Sequence, residues 1–277
     1  MAKKILNRIG VDLLLAIMLF IVLFPIVYMI ITSFKSSGEI LVNRSLVPKE
    51  ISLDNYREII TKTNFGKYTF NSLYVAIIVT TWTTIFAAMT GYVVALYKNK
   101  NIFFNIFSKL LLVLQMFPIM LMIVPLYRTF SLFELLNSKN ALVIIYGTFS
   151  LPFSIWLLSG FFEGFPKELA ESGRIDGCNK LEIFMKLVIP ISSPGIASAA
   201  IFTFINAWNE FMIANIFIQS DSEKTIPLGL TNFILQFGSE WGNLMAAATI
   251  TIIPVSIFLV FTQKYIVQGL TAGAIKG

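Results

Sequence analysis

Six long apolar stretches, at about 11–32, 72–96, 104–126, 141–161, 190–217 and 243–263, alternate along the chain with shorter polar segments. Each is near the roughly 20 residues that an α-helix needs to cross the hydrocarbon core of a bilayer. The fourth is the shortest and the fifth the most polar. Pro25, Pro118, Pro152 and Pro254 fall inside these stretches, as membrane bundles tolerate, because neighbouring helices satisfy the freed carbonyls. The pattern predicts an all-α integral membrane protein of six transmembrane helices. It is read as a single domain over 1–277, with no linker, low-complexity tract or long-period repeat.

Composition supports this reading. Of 277 residues, 56% are hydrophobic and 13% charged, against about 45–50% and about 25% in soluble domains. A soluble fold of this size cannot hide such a surplus, because its surface must be wetted; lipid can. The net charge of +6 is then read as basic residues facing an anionic cytoplasmic leaflet, not as a nucleic-acid footprint. Cys178 is the only cysteine, which leaves no internal disulfide and no thiolate cage. The absence of histidine removes the commonest general base and metal ligand, so no metal or cofactor is expected. The apolar run Val11–Ile31 exceeds the core of a signal peptide, and no small-x-small site follows it; it reads as a retained anchor.

Basic residues orient the spans. Lys3, Lys4 and Arg8 precede the first; Lys98, Lys100 and Lys109 lie around the second connection from the cytoplasm. Lys167, Arg174, Lys180 and Lys186 lie between the fourth and fifth, and Lys264 and Lys276 follow the last. The alternate connections after the third and fifth spans carry only Arg128, Lys139 and Lys224. This asymmetry places both termini in the cytoplasm, although residues 33–70 carry mixed charge.

The segment Gly164–Pro190, between the fourth and fifth spans, is the most informative. Pro166 suits the first turn of a helix, Lys167–Asp176 continues it, and Gly177 is suited to end it. Asn179 followed by Glu182 has capping-box spacing for a second helix toward Pro190. In the first helix Glu168, Glu171 and Ile175 share a face by i, i+3 and i+4 spacing. Ser172 and Gly173 keep part of the surface low, which allows a partner to approach closely.

This segment resembles the EAA loop of permease subunits of ABC importers: Glu-Ala-Ala, three residues, Gly, nine residues, Ile-x-Leu-Pro. Glu171-Ser172-Gly173, Gly177 and Leu187-Val188-Ile189-Pro190 match at every interval. Asp176 before Gly177, Asn71-Ser72-Leu73, Ala207-Trp208-Asn209-Glu210-Phe211 and the tail Gly269–Gly277 resemble the carbohydrate-uptake (binding-protein-dependent, maltose-transporter-like) branch. Ser-Gly in place of Ala-Ala preserves smallness but lowers helix propensity. Cys178 stands where a small residue is common and is read as a packing residue.

The resemblance implies a type I importer permease fold whose 164–190 loop docks into a cytoplasmic ATPase, with Glu168, Glu171, Ser172, Gly173, Asp176 and Gly177 as coupling residues. It implies a second permease subunit, two ATPase subunits that bind the ATP, an extracellular or periplasmic solute-binding protein, and residence in the plasma (inner) membrane of a prokaryote. The chain itself has no Gly-x-x-x-x-Gly-Lys-Ser/Thr phosphate cradle and no partner among nucleic acids. Ionisable groups within spans commonly face a cavity. Asn206, Trp208, Asn209 and Glu210, with Trp82 and Gln115 and also Tyr146 and Trp156, are therefore candidates for the solute path; amides and carboxylates match sugar hydroxyls, and aromatic faces match sugar rings. Interface anchoring and helix–helix hydrogen bonding are competing roles for the same residue types. The other readings are a same-family permease for a phosphorylated polyol or peptide, an ion-coupled secondary transporter or channel, and a membrane enzyme, for which no carboxylate pair, Cys pair or His speaks.

Overall fold

The computed structural model describes residues 2–42, 46–235 and 240–274, and every regular element among them is helical. In chain order these are α1 (Ala2–Ser33), α2 (Ser37–Val42), α3 (Asp54–Lys62), α4 (Phe65–Tyr97), α5 (Ile102–Gln115), α6 (Ile119–Leu132) and α7 (Lys139–Glu163). Then follow α8 (Lys167–Ile175), α9 (Lys180–Ile191), α10 (Ser193–Asn209), α11 (Met212–Phe217), α12 (Ile226–Leu235) and α13 (Trp241–Ala274). The last residues of the C-terminal tail, 275–277, lie outside the described residues.

Four helices are long and apolar enough to cross a membrane: Gly10–Ser33, Phe65–Tyr97, Lys139–Glu163 and Trp241–Gln263. Two bent pairs, α5 with α6 at 93° and α9 with α10 at 76°, raise the number among the described residues to six when each pair counts as one broken span. The third expected span, 104–126, is thus not one straight helix. Pro118 supplies no N–H and sits with φ −66°, ψ 120° at the start of α6, so α5 stops at Gln115. The fifth, 190–217, is likewise interrupted: α10 ends at Asn209, Glu210 is extended, and α11 restarts at Met212.

The chain divides into two compact units. Residues 1–66 with 229–254 form the first. Its organising group is the buried Asn55 amide, which donates to the carbonyl oxygens of Ser33 and Lys35 at 2.8 and 2.7 Å. This closes the chain where α1 gives way to the following segment. Gly242 lies against the same amide, where a Cβ would fall 2.5 Å from Asn55 Oδ1.

Residues 67–228 with 255–277 form the second unit. Here α4 and α7 run parallel and in step. Tyr74 hydroxyl donates to Asn140 Oδ1 at 2.9 Å, across 66 residues, and Lys98 Nζ donates to Glu163 Oε1 at 2.9 Å, across 65. Between these end contacts the Trp82 ring occupies the space over Gly147, where a Cβ would lie 1.8 Å from Cζ2. Gly91 lies against the α7 backbone, where a Cβ would meet Ser159 N at 3.1 Å. Small residues at such points let helices approach without clash, the usual device in membrane packing. The buried core runs through Ala87, Val94, Leu158, Phe162, Ile183, Val188 and Ala199.

Candidate functional site

Two polar features stand out in the second unit, and each is built on a helix break. The first is the segment from Gly164 to Pro190. Pro166, extended at φ −62°, ψ 124°, precedes α8, one position before the first-turn place expected for it. The helix ends in a Schellman motif: Cys178 N–H donates to Gly173 O at 2.9 Å and Gly177 N–H to Arg174 O at 3.1 Å. Gly177 has φ +83°, a left-handed conformation that glycine adopts without penalty. Two residues on, Asn179 and Glu182 form the full capping box: Asn179 Oδ1 accepts from Glu182 N at 2.9 Å and Glu182 Oε2 accepts from Asn179 N at 3.0 Å. Glu182 also pairs with Lys186 at 3.0 Å. The two short helices expected on either side of Gly177 are therefore present, each closed by its own local hydrogen bonds.

The faces of α8 are unequal. Glu168, Glu171, Ser172, Arg174, Ile175 and Asp176 are exposed, and Ile175 keeps 87% of its surface in the open. The shared face of Glu168, Glu171 and Ile175 is thus the outward one. Neither glutamate has a side-chain partner among the described residues. Ser172 Oγ donates back to Glu168 O at 3.0 Å. Gly173 differs from its expected role. It is buried, and a Cβ there would lie 3.0 Å from Leu187 Cδ1 and 3.4 Å from Ile183 Cγ1. Its smallness seats α8 on α9; it does not lower the outward surface. Cys178 is half-buried against the same apolar core.

The second feature is the break between α10 and α11. The carboxylate of Glu210 accepts from Ile213 N at 2.8 Å (Oε1) and Ala214 N at 3.2 Å (Oε2), and Tyr146 hydroxyl donates to Oε2. Glu210 satisfies two of the N–H groups that open α11 and ties the break to α7. The neighbouring candidates separate. Trp208 is buried, 1% exposed, and stacks on Phe204. Asn206 and Asn209 are exposed, with Asn209 Nδ2 donating to Ile205 O at 3.0 Å. Trp82 is half-buried on Gly147. Gln115 is exposed at the end of α5, and Trp156 is exposed beside Phe153.

One polar clasp was not singled out by role from the sequence. Asn71 Nδ2 donates to Ser222 O (2.9 Å) and Lys224 O (3.0 Å), Ser72 Oγ accepts from Ile226 N (2.8 Å), and Tyr68 hydroxyl donates to Asp221 Oδ1 (2.7 Å). Asn137, at φ 58°, adds a second clasp by accepting from Gln219 N (3.0 Å) and Ser220 N (2.7 Å). The available signal was the Asn-Ser pair placed just where an apolar run begins.

The chain matches known proteins along most of its length. Residues 87–272 match the family model described as the binding-protein-dependent transport system inner membrane component. The chain is 34% identical to a trehalose/maltose transport system permease protein of Thermococcus litoralis over all of both chains. It is 31% identical to an arabinooligosaccharides transport system permease protein of Halalkalibacterium halodurans (95% and 94% of the two chains). It is 34% identical to a diacetylchitobiose uptake system permease protein of Streptomyces coelicolor (95% of each). A chain of a bacterial ABC transporter that imports the acidic polysaccharide alginate superposes with a TM-score of 0.81 at 21% identity, over 96% of this chain and 98% of that one.

Proposed function

The chain belongs to the binding-protein-dependent transport system inner membrane components, and from that premise we propose that it is a permease subunit of an ATP-driven importer for a sugar or oligosaccharide. The observation that carries the coupling role is α8: a short helix with its own caps at both ends of the Gly177 bend, presenting two unpaired carboxylates and an open isoleucine outward. A solvated loop gains nothing from an isoleucine left in water; a docking helix does. Glu171 is the residue proposed to contact the ATPase, with Glu168, Ser172 and Ile175 around it. Gly173, Asp176 and Gly177 hold the helix at its angle. Three relatives whose names specify carbohydrate transport support the solute class.

In this reading the whole length acts as one permease domain with both termini in the cytoplasm, paired with a second permease, two ATPase subunits and an external solute-binding protein. The chain performs no catalysis; ATP is bound and hydrolysed by the partners. Non-helical backbone at membrane depth is stable only where protein covers it or water lines it. The breaks at Gln115–Pro118 and Glu210–Phe211 are therefore the places proposed for the solute path. Asn206, Asn209 and Gln115 offer hydrogen bonds there, Glu210 sets the break, and Trp82 and Trp208 pack its walls.

The test uses the reconstituted complex. Glu171→Lys is expected to leave the chain in the membrane and to abolish ATP-driven uptake. Ser172→Cys, in a Cys178→Ser background, is expected to crosslink to the ATPase. Full uptake by Glu171→Lys, or crosslinks from position 172 only to external proteins, overturns the docking role. Screening the partner solute-binding protein against neutral di- and oligosaccharides tests the solute class.

A further inference from the structure

The loop's helices must pass any displacement to the spans through the apolar core on which they rest, and a group of aromatic rings stands within it. Three consecutive residues at the end of α7 reach three different elements. Phe161 lies over Gly195 at the start of α10, where a Cβ would fall 2.4 Å from the ring. Phe162 meets Phe184 of α9 at 6.4 Å, edge to face. Glu163 pairs with Lys98 beyond the end of α4. The fourth member is Tyr92, in the penultimate turn of α4. Its ring stacks on Phe184 at 5.0 Å and 28°, and turns its edge to Phe162 at 5.9 Å and 81°.

We propose that Tyr92 is a positioning residue, the ring through which movement of the 164–190 loop is delivered to span α4. This rests on the coupling role proposed above for that loop. Phe184 opens the one π-helical turn of α9, Phe184–Val188, where the backbone ladder is looser than α and a change of register is within reach. The capping box and the Glu182–Lys186 pair close within α9 itself, so the second loop helix meets α4 in an apolar cluster in which the Tyr92–Phe184 stack is the aromatic contact. Stacked rings slide on one another more readily than directional bonds rearrange, yet a close-packed interior transmits a push instead of absorbing it. Tyr92 combines both properties. The parallel α4–α7 contact then makes the two spans respond together, because Lys98–Glu163 fixes their ends and Trp82 on Gly147 fixes their middle.

The experiment uses the complete reconstituted complex in a Cys178→Ser background with bimane at one of two single cysteines. Leu181→Cys, exposed on the second loop helix and outside the proposed docking face, reports the loop, and Met89→Cys reports α4. In the unaltered joint, ATP with vanadate is expected to shift bimane emission at both positions. With Tyr92→Ala the shift at 181 stays and the shift at 89 is lost; Tyr92→Phe restores it, since the ring and not the hydroxyl is required. Should Tyr92→Ala fail to assemble, Phe184→Leu, which keeps bulk but removes the stack, is expected to give the same separation. An undiminished shift at 89 in the assembled Ala or Leu variant overturns the proposal. So does a Tyr92→Phe chain as silent at 89 as Tyr92→Ala. A label at 181 that ignores nucleotide before any change at Tyr92 overturns the docking role itself and is distinguishable from failure of the joint.

Discussion

The bend at Gly177 and the break at Glu210 are both interruptions of helix bearing acidic residues, and they use those residues in opposite ways. At Gly177 the backbone closes itself, through a Schellman motif on one side and a capping box on the other. Glu168 and Glu171 have no side-chain partner among the described residues. At Glu210 no glycine is present, and the carboxylate itself replaces the missing helical acceptors for Ile213 and Ala214 while receiving Tyr146. A carboxylate with three internal donors serves the fold; one with none is available to a partner. Sequence alone ranked both as functional, and only the distribution of donors separates them.

The largest effect expected from this contrast is at Glu210. Glu210→Leu leaves two N–H groups and a buried phenol without their acceptor, and each orphaned group costs about 1–3 kcal/mol. A loss of several kcal/mol is expected, read as a lowered midpoint of thermal unfolding in detergent. Glu171→Ala is expected to leave that midpoint unchanged and to remove ATP-driven uptake. Equal destabilisation by the two substitutions would erase the distinction.

Local features were legible from the residues, and distant ones were not. Gly177, Asn179 and Glu182 act on neighbours within five positions, so spacing alone disclosed the two short helices. The six apolar stretches were legible because hydropathy needs only composition. The breaks in the third and fifth were hidden because Gln115, Asn209 and Glu210 are too few to end an otherwise apolar stretch, and hydropathy does not report where the hydrogen-bond ladder stops. Pro118 is a signal in the third stretch, and a proline there is equally compatible with a tolerated kink. Trp82 over Gly147, Tyr92 between Phe162 and Phe184, and Asn71 on the 222–224 carbonyls join residues about 65 to 153 positions apart, as the partner numbers show. No periodicity foretells such pairings.

The Gly177 side of the contrast is sharpened by Gly177→Val. Nothing lies within 4 Å of an added Cβ there, so the cost of adding a side chain begins with the backbone conformation. Holding a non-glycine residue at φ +83° costs roughly 1–2 kcal/mol, more for a β-branched side chain. Global stability is expected to change by no more than this, whereas crosslinking from Ser172→Cys to the ATPase is expected to fall sharply as α8 leaves its angle. A variant that crosslinks as before shows that the left-handed residue does not set that angle.

The smallest effect is expected at Gly173, and its sign follows from two opposing quantities. Replacing a helical glycine by alanine favours the helix by about 0.8–1 kcal/mol. Against this, the new methyl meets Leu187 Cδ1 at 3.0 Å and Ile183 Cγ1 at 3.4 Å. The nearer atom is the far end of a half-buried leucine, which can turn aside for a cost well under the 1–3 kcal/mol typical of overpacking a tight core. Gly173→Ala is therefore expected to be neutral or slightly stabilising in thermal unfolding and to leave coupling intact. Gly173→Phe adds bulk that Leu187 cannot accommodate; it is expected to lift α8 from α9 and uncouple uptake while Glu168 and Glu171 remain in place. If the alanine variant uncouples as well, position 173 meets the partner directly, and the outward face of α8 extends further around the helix than its exposure indicates.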